Sequence, residues 1–148
     1  MMKWIDTPPV WLLLALVVTW YLAALQPAIG FGIWAELIGG VLFFAGIAIV
    51  LVAAFEFRRA QTTIVPHEDA RVLITGGLYR YSRNPIYLGD ALILAGLILR
   101  WDAVLAVPVL PLFVFLIQRR FILPEEARLA AAFPSAFESY RASTRRWI

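Results

Sequence analysis

The chain has 148 residues, 62% of them apolar and 16% charged, against roughly 45–50% and 25% in an ordinary soluble domain. A mean hydropathy of +0.81, with six Trp and ten Phe, excludes a disordered chain. The lack of Cys excludes a disulfide scaffold, a cysteine-ligated zinc site and a cysteine nucleophile. The single histidine, His67, leaves little material for a metal site, and none is assigned.

The first apolar run, Val10 to Leu25, rises about 24 Å as a helix, just short of a roughly 30 Å hydrocarbon core unless Pro8, Pro9 and Gln26 sit at the interface. Trp11, Trp20 and Tyr21 look like interfacial anchors and Gln26-Pro27 is a poor cleavage site, so the run reads as a span and not as a signal peptide. The second run, Ile33 to Phe57, is long enough to cross with tilt, and Gly39, Gly40 and Gly46 would admit another helix closely. The third and fourth, Ile86 to Leu99 and Ala103 to Ile117, are shorter, and the last carries Pro108 and Pro111; together they read as a short hairpin, spanning or deeply inserted. The expected fold is one all-α integral membrane domain over residues 1–148. It has two N-terminal spans in 1–57, a hairpin, and short C-terminal helices.

With four crossings, all thirteen basic residues except Arg100 fall on one side. The positive-inside rule then puts both termini and the segment from Arg58 to Asn84 in the cytoplasm, with the chain in the cytoplasmic membrane. A basic face toward anionic headgroups accounts for the charge, and no nucleic-acid partner is expected. The segment from Arg58 to Asn84 reads as a loop holding Thr62, Thr63, Pro66 and His67, with a strand-like stretch at Arg71 to Ile74. After Gln118 the fourth helix continues, and Pro124-Glu125-Glu126 reads as a new helix start. Leu129, Phe133 and Phe137 share a face that Pro134 should break, giving two short amphipathic helices.

From Gly76 to Asp90 the chain gathers a glycine pair, three tyrosines, two arginines and a proline at a helix start. Such a stretch is either an interfacial belt or a cradle for an anionic, aromatic-bearing ligand. The order Thr62-Thr63-Ile64-Val65-Pro66, then Gly77-Leu78-Tyr79-Arg80-Tyr81-Ser82-Arg83-Asn84-Pro85-Ile86-Tyr87-Leu88-Gly89, then Pro124-Glu125-Glu126, Tyr140 and Arg146-Trp147 resembles the isoprenylcysteine carboxyl methyltransferases and their bacterial and phospholipid-methyltransferase relatives. The resemblance runs over roughly residues 62–147. It implies an integral membrane enzyme that uses S-adenosylmethionine and releases S-adenosylhomocysteine. The implied cofactor-binding residues are Leu78, Tyr79, Arg83, Asn84, Pro85, Tyr87, Leu88 and Glu126. In that reading Arg83 pairs the cofactor carboxylate, Glu126 takes its ammonium or a ribose hydroxyl, and Tyr79, Tyr81 or Tyr87 flank the adenine. Two departures stand out: Asn84 where eukaryotic members have His, and Phe133-Pro134 where relatives usually have Phe-Gly.

Arg119, Glu126 and Asp90 are the catalytic candidates, Asp90 because an acid inside an apolar run marks a functional site. Glu56 reads most simply as a surface partner of Arg59. No residue is an obvious general base, so the acceptor is either already nucleophilic or gives its proton to water, Glu126, Asp90 or His67. The acceptor is expected to be lipophilic, a membrane lipid or small molecule carrying a carboxylate, thiol or amine. With two helices before the signature region, a smaller substrate or a homodimer that completes the cavity is also expected. Distant similarity to sterol and enone reductases keeps an NADPH-dependent membrane reductase open beside a non-catalytic membrane protein. Neither a Gly-x-Gly-x-x-Gly nor a Gly-x-x-x-x-Gly-Lys motif is present.

Overall fold

The computed structural model describes residues 6–60 and 72–148. Thr62, Thr63, Pro66, His67 and Arg71 lie outside the described residues. Two prolines at its first turn, where no N–H is needed, start α1 at Pro8 and it runs to Leu25. α2 spans Ile33–Arg59, and a 3-10 turn covers Gly77–Arg80. α3 opens on Pro85 and ends at Arg100. A 3-10 turn at Val104–Ala106 leads into α4, Val109–Ile117. A π-helical segment, Gln118–Ile122, joins α4 to α5, Leu123–Ala132, and α6 covers Pro134–Ser143.

The described residues form an all-helical array. By length and composition Pro8–Leu25, Ile33–Arg59 and Val104–Ala132 can cross a membrane. α3, at 16 residues, is shorter, yet runs between the same two ends. The outer faces of α1 and α2 are apolar and open: Ile33 is 91% exposed, Leu37 74% and Phe44 69%. Such a surface is stable against lipid and not against water, so this is a membrane protein.

The closest packing is between α2 and α3, antiparallel, through glycines spaced seven residues apart on each helix. A Cβ on Gly39 would lie 2.6 Å from the Gly96 carbonyl oxygen, and one on Gly46 2.6 Å from that of Gly89. Small residues let the backbones meet where lipid supplies no hydrophobic drive. The close approach expected of Gly39 and Gly46 is therefore made within the chain, while Gly40 faces the end of Arg100. α1 packs on α3 and α4, its Ala15 joining a core of Tyr87, Leu94, Ile98, Phe113 and Ile117. At one end of the array Asp102 holds the loops. Its carboxylate accepts the Phe31 N–H at 2.6 Å, and its carbonyl accepts the Gln26 side chain at 2.6 Å.

Two local expectations are corrected. Residues 72–75 contain no strand, because no strand among the described residues offers them a ladder. Pro124 does not start a new helix: helical backbone continues from α4 through the π segment into α5. Proline lacks an N–H and clashes with the carbonyl four residues back, and the wider π turn just before it absorbs both defects. The break expected at Pro134 is present, with Phe133 leaving the helical conformation (φ −133°, ψ 63°) between α5 and α6.

Candidate active site

At the end opposite Asp102 lies a cavity of about 750 Å³, within the size range of small-molecule sites. Leu12, Leu13 and Leu16 of α1 form one wall, and Val50 and Phe57 of α2 another. Ile86, Asp90 and Ile93 of α3 form its base, and Tyr79, Arg83, Asn84, Tyr87 and Glu125 make one end polar. The interior is apolar except for that end and Asp90.

The polar end is assembled by tertiary contacts. Gly77, at φ 59°, adopts the left-handed backbone that glycine accepts without strain. There the Glu56 carboxylate accepts the Leu78 N–H at 3.1 Å. Glu56 is therefore no surface partner of Arg59: it fixes the 3-10 turn to the end of α2. Tyr79 stacks edge-on against Phe57 at 5.5 Å, and its carbonyl accepts the Tyr140 hydroxyl at 2.6 Å. Burial, reinforced by the charges of Glu125 and Glu56, pushes the Tyr79 phenol above its usual pKa and keeps it protonated. Burial does the same to Tyr140.

Ser82 makes the bend into α3, its hydroxyl accepting the Asn84 N–H at 3.1 Å. Asn84 caps α3 with its carbonyl, which takes the Leu88 N–H at 3.0 Å. Its side-chain amide instead donates to the carbonyl of Arg146 at 3.0 Å. Arg83, between them, has a side chain only 9% exposed, and its Nη2 lies 3.4 Å from Glu126. Its Nε and Nη1 are buried and have no acceptor among the described residues. Burial lowers the Arg83 pKa from its ordinary value and the Glu126 charge opposes that fall; a guanidinium stays charged under such a shift. Glu126 is held more tightly by Arg146, with Nε at 3.1 Å and Nη2 at 2.8 Å, a hydrogen bond that raises the Arg146 pKa.

Of the residues singled out in the sequence, Tyr79, Arg83, Asn84, Tyr87 and Asp90 line the cavity. Glu126 lies behind Arg83, and its neighbour Glu125 faces the cavity, accepting the Tyr87 hydroxyl at 3.2 Å. Pro85 is buried at the start of α3. Leu78 packs with Phe57 and Phe137 beneath the turn, and Leu88 serves the first turn of α3 through its backbone. Arg119 is not brought to this group: it is exposed, with its guanidinium 5.5 Å from the Phe115 ring. Sequence reasoning missed Arg146 and underrated Glu56. The terminal Arg146-Trp147 was a visible signal, but not the side chain it meets.

A family model described as phospholipid methyltransferase matches residues 34–136. No curated protein and no solved structure matches the chain.

Proposed function

The chain belongs to the phospholipid methyltransferase family, and from that premise we propose that it transfers a methyl group from S-adenosylmethionine to a lipophilic acceptor in the cavity between α1 and α2. The observation that carries this reading is Arg83, a buried cation lining the cavity with two nitrogens, Nε and Nη1, that have no acceptor among the described residues. Buried guanidinium nitrogens left without acceptors carry a desolvation cost that the 3.4 Å contact of Nη2 with Glu126 does not remove, and the cofactor's carboxylate is an anion that would remove it. The remaining groups fit as well: the Glu125 carboxylate suits an ammonium, and the faces of Tyr79 and Tyr87 suit an adenine.

When bound, the cofactor supplies a methyl group on a cationic sulfur, transferred by in-line displacement. The protein's work is then orientation and exclusion of water. Arg83 and Glu125 fix the polar end, and Asn84, tied to the chain terminus, holds the start of α3 in place. The apolar walls from Leu12 to Leu16 and from Val50 to Phe57 receive the acceptor's hydrocarbon and keep the site dry. Asp90, 7% exposed on the cavity's base, orients the acceptor or receives its proton. Arg119 we assign to the headgroup layer at the end of the span. The arginine distribution supports a cytoplasmic position for this end. One chain supplies every residue named, so the reading does not require a homodimer.

Calorimetric titration of detergent-purified protein with S-adenosylhomocysteine, with NADPH in parallel, tests the reading. The expected result is binding of the first alone, weakened about tenfold or more by Arg83→Ala. Binding of NADPH alone would move the chain to the membrane reductases.

A further inference from the structure

We propose that Arg146 is a positioning residue, which occupies Glu126 and so keeps Arg83 open to an oxyanion in the cavity. The inference rests on the reading of this cavity as a ligand site. Its basis is the unequal division of one carboxylate between two cations. Arg146 grips Glu126 with two nitrogens, Nη2 at 2.8 Å and Nε at 3.1 Å, whereas Arg83 offers only Nη2 at 3.4 Å. A guanidinium and a carboxylate prefer the two-pronged geometry. Arg146 takes it, and the Nε and Nη1 of Arg83 are left over. Arg83 thus shares its one close carboxylate with a second guanidinium, and an oxyanion beside it would supply the negative charge that Glu126 divides between the two.

Besides the Arg146 side chain, the backbone and neighbouring side chains also hold the terminal segment. The Arg145 carbonyl accepts the Arg83 N–H at 2.9 Å, and the Arg146 carbonyl accepts Asn84 Nδ2 at 3.0 Å and Ser82 Oγ at 3.4 Å. Trp147 Nε1 donates to Gln118 at 2.9 Å. Removing the guanidinium therefore leaves the segment seated. Glu126 then has Arg83 as its remaining partner in this group, closes on it in the two-pronged geometry, and takes up Arg83 nitrogens that are otherwise without an acceptor. The ligand chemistry is an oxyanion, supplied either by the carboxylate of the cofactor or by the phosphate of a lipid.

The test compares wild type with Arg146→Gln by calorimetry, using two pairs of probes. S-Adenosylhomocysteine is set against methylthioadenosine, which lacks the carboxylate, and dihexanoylphosphatidate against dihexanoylglycerol, which lacks the phosphate. The expected result is a loss of about tenfold or more for the oxyanion-bearing member of one pair, with its partner unchanged; the pair affected identifies the source. In Arg146→Gln/Glu126→Gln the neutral amide no longer competes for Arg83, so affinity for that probe recovers toward wild type. Arg146→Lys, which keeps the charge but not the fork, should show a smaller loss of the same selectivity, and serves if Arg146→Gln does not fold. Equal losses for both members of each pair, or no loss at all, would overturn the proposal. Wild type that binds phosphatidate but not S-adenosylhomocysteine would overturn the cofactor reading while the Arg146 inference stands, and wild type that binds neither would overturn both.

Discussion

Tyr140 donates its hydroxyl to the backbone carbonyl of Tyr79 over 2.6 Å, tying the last helix to the turn at the polar end of the cavity. Both residues are buried, Tyr79 at 5% and Tyr140 at 6% exposure. Tyr140→Phe keeps the ring and leaves that carbonyl without its donor, a defect worth about 1–3 kcal/mol. Thermal unfolding in detergent should shift down, and S-adenosylhomocysteine should bind more weakly. An unchanged melting curve would show that the clamp does not contribute to the folded state.

Glu56 is the second tie on the same turn, accepting the Leu78 N–H at 3.1 Å from the end of α2. Glu56→Ala should weaken ligand binding several-fold while α2 itself persists by circular dichroism, because a hydrogen bond to a charged group contributes about 1.5–3 kcal/mol. Wild-type affinity in this variant would mean that the turn is held by Tyr140 alone.

The two glycine-rich turns of α2 give a paired comparison. A methyl group on Gly46 would meet the Gly89 carbonyl at 2.6 Å, whereas one on Gly40 meets only the Arg100 guanidinium end at 3.5 Å. Gly46→Ala should therefore destabilise the protein, by about 1–3 kcal/mol as overpacking does in cores. Gly40→Ala should be neutral or slightly stabilising through helix propensity. Equal melting temperatures for the two variants would contradict the α2–α3 packing.

Local sequence carried most of the helices, since a run of apolar residues in lipid has few alternatives to a helix, and Pro85 marks a start and Pro134 a break that the structure keeps. Tyr79, Arg83, Asn84, Tyr87 and Asp90 were legible as a group for a similar reason: they lie within twelve residues of one another, and one turn and one helix start bring them together. The π segment before Pro124 was not legible, because it is a backbone accommodation between two helical stretches that read the same by hydropathy. Glu56 and Arg146 were opaque for a different reason. Their partners are 22 and 20 residues away in the chain, and no periodicity links an acid in one helix to a turn or a terminal segment elsewhere. The choice between Glu125 and Glu126 also needed the helix phase, which decides which of two adjacent side chains faces the cavity.

Asp90 stands apart from the ion-paired cluster, on the cavity's base among Ile86 and Ile93. Asp90→Asn keeps its size and removes the charge. Turnover should fall by about a hundredfold or more, the usual range for a group that moves a proton, with affinity for S-adenosylhomocysteine retained. Loss of both together would place Asp90 at the cofactor instead of the acceptor.

The central claim is methyl transfer into the bilayer, and the most direct measurement is incorporation of tritium from methyl-labelled S-adenosylmethionine into organic-extractable lipid, using purified protein in phospholipid vesicles. Label should accumulate in the lipid fraction with wild type and be lost with Arg83→Ala. Wild-type protein that binds S-adenosylhomocysteine yet labels no lipid or lipophilic additive, or Arg83→Ala that labels as well as wild type, would contradict the account.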